Sequence, residues 1–213
     1  MNVVVVDTAG PVVGVAALAG TRVAFSASER VAAGTEVWLS TALEAALSSL
    51  PHLDRVAVTV GPGAFTGVRV GVAAALGLAF ARGVGVTPLS SLALRACLAP
   101  GEQRVLALLD ARKGKVYAGW FDTRADSPLG VGEETDARLA DVLTGVAAGG
   151  VAVGEGAQVF GEAVREAGLR VHAQSASSPV AYGAALVLAS PVRAPEQVAL
   201  RYLREPDARP KPD

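Results

Sequence analysis

Histidine is almost missing from this chain of 213 residues: there are two, His52 and His172, 120 positions apart. Neither has a histidine or cysteine neighbour at ligand spacing, which leaves no metal centre of the usual kinds. Cysteine occurs once, as Cys97, and this excludes an internal disulfide and any cysteine-based zinc site. That cysteine lies in the apolar stretch LALRACLA and is expected in a core. No serine, cysteine and histidine constellation offers an activated nucleophile. The formal charge is −1, with no Lys/Arg run, so the chain has no footprint for holding nucleic acid alone. Long apolar runs are also lacking. The longest uncharged run in the strongest helix is Val70 to Ala81, short of the roughly 20 residues a bilayer span needs. The opening VVVV meets Asp7 at once, unlike a secretory signal. A reducing cytoplasm and no membrane are the expectation.

What the chain has in quantity is small and branched apolar residues: 51% of it is hydrophobic, with a mean hydropathy of +0.41. VVVVD, the turn TAGP and VVGVAALA predict two buried strands, and Arg22 to Ser28 a third. Leu39, Leu43, Ala46, Leu47 and Leu50 recur at helical spacing, with Thr35 as the cap and Pro51 as the stop. RVAVTV is the next strand, then a Gly61 loop, a second helix, the strand and helix of VTPLSSLALRACLA, and a boundary at Pro100-Gly101. The pattern then begins again. Asp110 in VLALLDARKGKVYAGWF follows Asp7 by 103 residues, and Gly154 and Gly156 in GVAVGEGAQVFG follow Gly61 and Gly63 by 93. Two echoes in one order predict a tandem duplication of a βββαβα unit. That is the topology of the actin, sugar-kinase and heat-shock ATPase class, an α/β, ribonuclease H-like fold. One subdomain is expected over residues 1–101, joined by a returning helix at 179–190. The other is expected over 102–178, with an extended tail at 204–213.

Gly61-Pro62-Gly63 turns tightly from a strand into a helix, with backbone N–H groups at the helix start that could hold an anion. No Gly-Lys-Ser/Thr follows, so it is not a P-loop, and Gly67 comes one residue late for a dinucleotide fingerprint. Both the anion site and the purely structural turn stay open. In the helix, Gly67, Gly71, Ala75 and Ala79 form a small-residue stripe beside Val68, Val72, Leu76 and Phe80. A helix apolar nearly all round must be covered nearly all round. The second cover is either another helix of the same chain or a partner using the small stripe. Asp7 and Asp110 end strands where enzymes of this class keep magnesium- and phosphate-handling carboxylates, or else they simply open turns.

VVVVDTA, GPGAFTGVRVGVAAALGLAF and LLDARKGKVYAGWF, with ALRYLREPDA near the end, resemble the TsaB (YeaZ) family in order and spacing. The resemblance implies an actin-like (ASKHA) fold and a supporting, non-catalytic role, despite older glycoprotease-like naming. It implies pairing with the metal-bearing paralogue TsaD, which transfers threonylcarbamoyl to the adenosine beside the tRNA anticodon. It implies a further ATPase partner, TsaE, self-association when alone, and tRNA met only through the complex. It gives the chain no cofactor of its own; an adenine nucleotide sits where the subunits meet. Carried over by position, the partner surface falls on Leu39, Leu43 and Leu47 of the first helix and on Val68, Val72 and Leu76 of the second. Asp7, Gly61 and Gly63 fall nearest any nucleotide. No His-x-x-x-His metal motif is present. Ala64 replaces a usual serine, Gly10 replaces a usual polar residue, and VAAGTE lacks a histidine common before the first helix. The competing expectation is an independent sugar-kinase-like phosphotransferase built on Asp7 and the Gly61 loop.

Overall fold

The computed structural model describes residues 1–31, 33–173 and 178–203; the tail expected at 204–213 lies outside them. The first half runs β1 (Asn2–Asp7), β2 (Val12–Ala19), β3 (Arg22–Arg30), α1 (Thr35–Ser48), β4 (Arg55–Thr59), α2 (Phe65–Arg82), β5 (Gly85–Leu89) and α3 (Ser91–Ala96). The second runs β6 (Val105–Asp110), β7 (Lys115–Asp122), β8 (Leu129–Gly130), β9 (Thr135–Arg138), α4 (Leu139–Leu143), β10 (Val151–Val153), α5 (Glu155–Val159), α6 (Gly161–Glu166) and β11 (Arg170–Val171). A 3-10 turn, Pro179–Tyr182, and α7 (Ala184–Ala189) follow.

The first sheet has the order β3-β2-β1-β4-β5; in the second, β6 is flanked by β7 and β10, and β10 by β11. β7 also pairs with β9 over Lys115 to Ala118 and with β8 over Phe121 and Asp122. β8 and β9 therefore serve together as a broken third strand, and the two halves share one strand order. This is the duplicated actin-like α/β unit.

The valine run makes β1 a strand covered on both faces. Val3 and Val5 point into a central core with Leu92, Leu94, Ala107, Leu109 and Val187, which joins the two sheets. Val4 and Val6 point into an outer core with Leu39, Val68 and Val72 beneath α1 and α2. Leu106 and Leu108 of β6 face a third core, with Leu139, Ala157 and Val164 under α4 to α6. The period-2 alternation of strand side chains thus feeds helical layers on both sides of each sheet.

Three local expectations change. The α1 cap is Gly34, not Thr35, which is the first helical residue and makes no capping bond. The helix expected at 179–190 is two pieces divided at Gly183, where an added Cβ would come 2.5 Å from Leu94 Cδ1. The close approach to α3 takes precedence over helical continuity there. In the second half, the counterpart of α2 is split into α5 and α6 at Phe160. By length and apolar composition α2 is the one described helix that could cross a membrane; in the fold Val68, Gly71, Val72, Ala75 and Ala79 are buried.

Candidate functional site: the cleft and the exposed helix face

Asp7 ends β1 where the two halves meet and is fully buried. Its Oδ1 accepts hydrogen bonds from Thr59 Oγ1 at 2.8 Å and from the Ala9 amide at 3.2 Å. Its Oδ2 lies 3.2 Å from Arg95 Nη2. Arg95 projects from α3, whose start is capped by Ser90 Oγ, accepting from the Leu92 and Ala93 amides. The same guanidinium donates from Nε and Nη2 to the two carboxylate oxygens of Glu155, at 2.7 and 2.8 Å, and from Nη1 to Ser91 O at 2.9 Å. This is the two-pronged geometry that makes arginine–carboxylate pairs strong. Burial alone would push the guanidinium towards losing its proton. The charges of Asp7 and Glu155 outweigh that and hold it above its ordinary range.

Glu155 opens α5 in the second half, so the triad spans both halves and the helix between them. Gly10 makes room for it: a Cβ there would overlap Glu155 Oε1 and come 2.8 Å from Arg95 Nη2. A side chain at this position would press on the ends of both triad side chains. Sequence reasoning passed over Arg95 and Glu155, though both left a trace. Arg95 is the lone charge in LALRACLA, and Glu155 stands where the first repeat has Pro62.

The Gly61 loop is closed by the chain itself. A Cβ on Gly61, where φ is 116°, would overlap Arg201 O, and one on Gly63 would come 2.5 Å from Ala9 O. Arg201 N donates to Val60 O at 2.7 Å, Ser91 N to Gly61 O at 3.0 Å, and Ala64 N to Ala9 O at 2.8 Å. Asp7 and Gly63 both meet the turn at Ala9, while Gly61 lies against Arg201 and Ser91. Arg95 stands 3.2 Å from Asp7, and the Ala64 amide at the helix start donates to Ala9 O. The Gly154 turn has the same character: its φ is 90°, and a Cβ would overlap Leu108 O. Both glycines are demanded by a left-handed backbone against a strand end.

Three of the six residues expected at the partner surface turn inward. Leu39, Val68 and Val72 are buried in the chain's own outer core, and Leu43, Leu47 and Leu76 are partly buried against it. The small-residue stripe faces inward too, because a Cβ on Gly67 or Gly71 would overlap Thr8, whose Oγ1 donates to Gly67 O at 2.7 Å. The sheet, not a partner, uses that stripe for close approach, and this rotates the open face of α2 to Phe65, Arg69, Ala73, Gly77 and Phe80. Phe80 is 63% exposed, and Val37 on α1 is 66% exposed. Arg69 lies 3.6 Å over the Phe65 ring and donates from Nε to Tyr202 Oη at 3.0 Å. Tyr202 lies so far along the sequence that no local pattern could have joined it to α2.

Among the described residues no group of three or more histidine, cysteine and acidic side chains could hold a metal ion. Cys97 is partly exposed as a residue, yet burial pushes its thiol up to about 12. A raised pKa means the thiol stays protonated at pH 8 and is a poor nucleophile. Ellman's reagent at pH 8 is expected to leave Cys97 of the folded chain essentially unmodified for an hour and to titrate it fully in denaturant. Rapid reaction of the folded protein would show the thiol to be open.

A family model described as TsaD, tRNA N6-adenosine threonylcarbamoyltransferase, matches residues 26–166, about two thirds of the chain. The chain is 37% identical over 131 residues to the tRNA threonylcarbamoyladenosine biosynthesis protein TsaB of Escherichia coli, covering 57% of this chain and 56% of that protein. The chain thus spans about half the length of that relative, and less of the other curated TsaB proteins it matches. An uncharacterised protein of Mycobacterium tuberculosis is 32% identical over 219 residues, covering 98% of this chain and 94% of its own. Among solved structures, YeaZ from Pseudomonas aeruginosa superposes with a TM-score of 0.79 at 27% identity, covering 95% of this chain and 99% of that one.

Proposed function

Because this chain belongs to the TsaB (YeaZ) family, we propose that it is a non-catalytic scaffold in tRNA threonylcarbamoyladenosine biosynthesis, heterodimerising with a TsaD-like catalytic paralogue. The observation that carries this reading is the open face of α2. Along Phe65, Arg69, Ala73, Gly77 and Phe80 the only charge is Arg69, and Phe80 is 63% exposed. An exposed, nearly uncharged helix face is a protein-contact surface by default. The cleft supports the same reading from the other side, since a phosphotransferase needs its strand-end carboxylate free for a metal and Asp7 is committed to Arg95. On this reading an adenine nucleotide is bound at the subunit interface. Self-association of the lone chain uses the same face, a TsaE-like ATPase joins the assembled pair, tRNA is engaged only by the complex, and the site of action is the cytoplasm.

Reconstitution tests it. Threonylcarbamoylation of tRNA by the other subunits is expected to fall to background when this chain is left out. The variant Ala73→Asp, at an exposed position, is expected to keep the wild-type circular dichroism and melting temperature. Its affinity for the paralogue should fall at least a hundredfold, in line with the several kcal/mol that a charge buried unpaired at an interface can cost. Full modification without the chain would overturn the scaffold role, and undiminished pairing by Ala73→Asp would remove α2 from the interface.

A further inference from the structure

From the cleft geometry we infer that Arg95 is a positioning residue: gripped by Glu155 of the second half, it sets the seat of the partner-facing helix α2 through Asp7, Thr8 and Ala9. The contacts form an unbroken path. Glu155 holds Arg95 by two hydrogen bonds of 2.7 and 2.8 Å, and Arg95 stands 3.2 Å from Asp7. Asp7 Oδ1 accepts from the Ala9 amide at 3.2 Å, which fixes the strand-end turn over residues 7–9. That turn is the bed of α2. Ala9 O accepts from Ala64 N at 2.8 Å, and Thr8 Oγ1 donates to Gly67 O at 2.7 Å. Gly63, Gly67 and Gly71 lie so close to Thr8 and Ala9 that no Cβ fits between. A shift of the turn therefore moves the first two turns of α2, since close-packed interiors transmit displacement and do not absorb it.

Further along the helix Ala75 and Ala79 are buried in the outer core, but no glycine is pressed against the strand-end turn. Nothing lies within 4 Å of a Cβ built on Gly77, and α2 ends at Gly83 in the open. The second half of the chain, which lies behind the first sheet from α2, thus acts on the partner face as a fixed brace. Arg95 and Glu155 reach each other across the central core, and both are buried, so the brace is closed to water and to competing ions.

This inference rests on the scaffold reading for its functional consequence, and its structural part is measurable on the isolated chain. Glu155→Gln keeps the side-chain shape and weakens the charge-assisted grip on Arg95. Hydrogen exchange is expected to show about tenfold faster exchange of the amides at 64–71, the scale of weakening one charge-assisted hydrogen bond. Amides of β3 and the C-terminal half of α1 should be unchanged. Affinity for the paralogue should fall about tenfold, and Arg95→Lys should lie between wild type and Arg95→Ala. Gly10→Ala is the second variant, crowding the triad without removing a charge, and should loosen the same amides. Unchanged exchange at 64–71, or an even loss of protection along the whole chain, would overturn the positioning role. Failure of the wild-type chain to bind the paralogue would instead refute the scaffold reading and leave the exchange result standing.

Discussion

Replacing Val72 by arginine is expected to destabilise the fold strongly, not to release a partner from an intact surface. Val72 is 5% exposed and belongs to the core that also holds Val4, Val6, Leu39 and Val68. Its neighbours Gly71 and Ala75 lie on the sheet side of the helix, so the longer side chain has no short route to water. An uncompensated buried charge costs about 3–5 kcal/mol, and overpacking adds roughly 1–3. Domains of this size hold only about 5–15 kcal/mol in total. A loss of about 4 kcal/mol lowers the melting temperature by roughly 8–16 °C in a chain of 150–250 residues. Thermal denaturation followed by circular dichroism reads this directly, together with the soluble yield. An unchanged melting temperature would return Val72 to the surface.

Arg95→Leu is the other large effect. It leaves Asp7, wholly buried, and Glu155, nearly so, facing a cavity with no cation. Removing one partner of a buried ion group destabilises by about 3–5 kcal/mol, because the orphaned charge is the penalty. The effect should be strongly non-additive. In a Glu155→Leu background one of the two orphaned charges is already gone, so the same substitution is expected to cost at least about 1 kcal/mol less than in the wild type. Urea unfolding of the four proteins of this cycle measures the difference. Equal costs in both backgrounds would mean that the guanidinium and Glu155 act independently, against the 2.7 and 2.8 Å contacts.

The fold was legible because it is written in local patterns. The valine run at 3–6 could only be a strand with both faces covered. The Gly61 and Gly154 turns recur at matching positions because each backbone must go left-handed against the end of a central strand. α2 could be recognised as buried, but not which of its sides faced the sheet. Where large and small apolar residues surround a helix, the periodicity has no polar face from which to take its bearing. The stripe of Gly67, Gly71, Ala75 and Ala79 looked like a place for a partner's close approach. It is the place where β1 and its turn approach, as Thr8 against Gly71 decides.

By itself, then, the sequence determined the duplicated α/β unit and the family. Both depend on residue type and short-range spacing. The tertiary structure alone decided the orientation of α2, the gathering of Asp7 and Glu155 on Arg95 and the joining of Tyr202 to Arg69. These depend on groups 60 residues apart for Arg95 and Glu155, and 133 apart for Arg69 and Tyr202. Over such separations the chain imposes no geometry of its own, and only the packing of one half on the other brings the charges within reach.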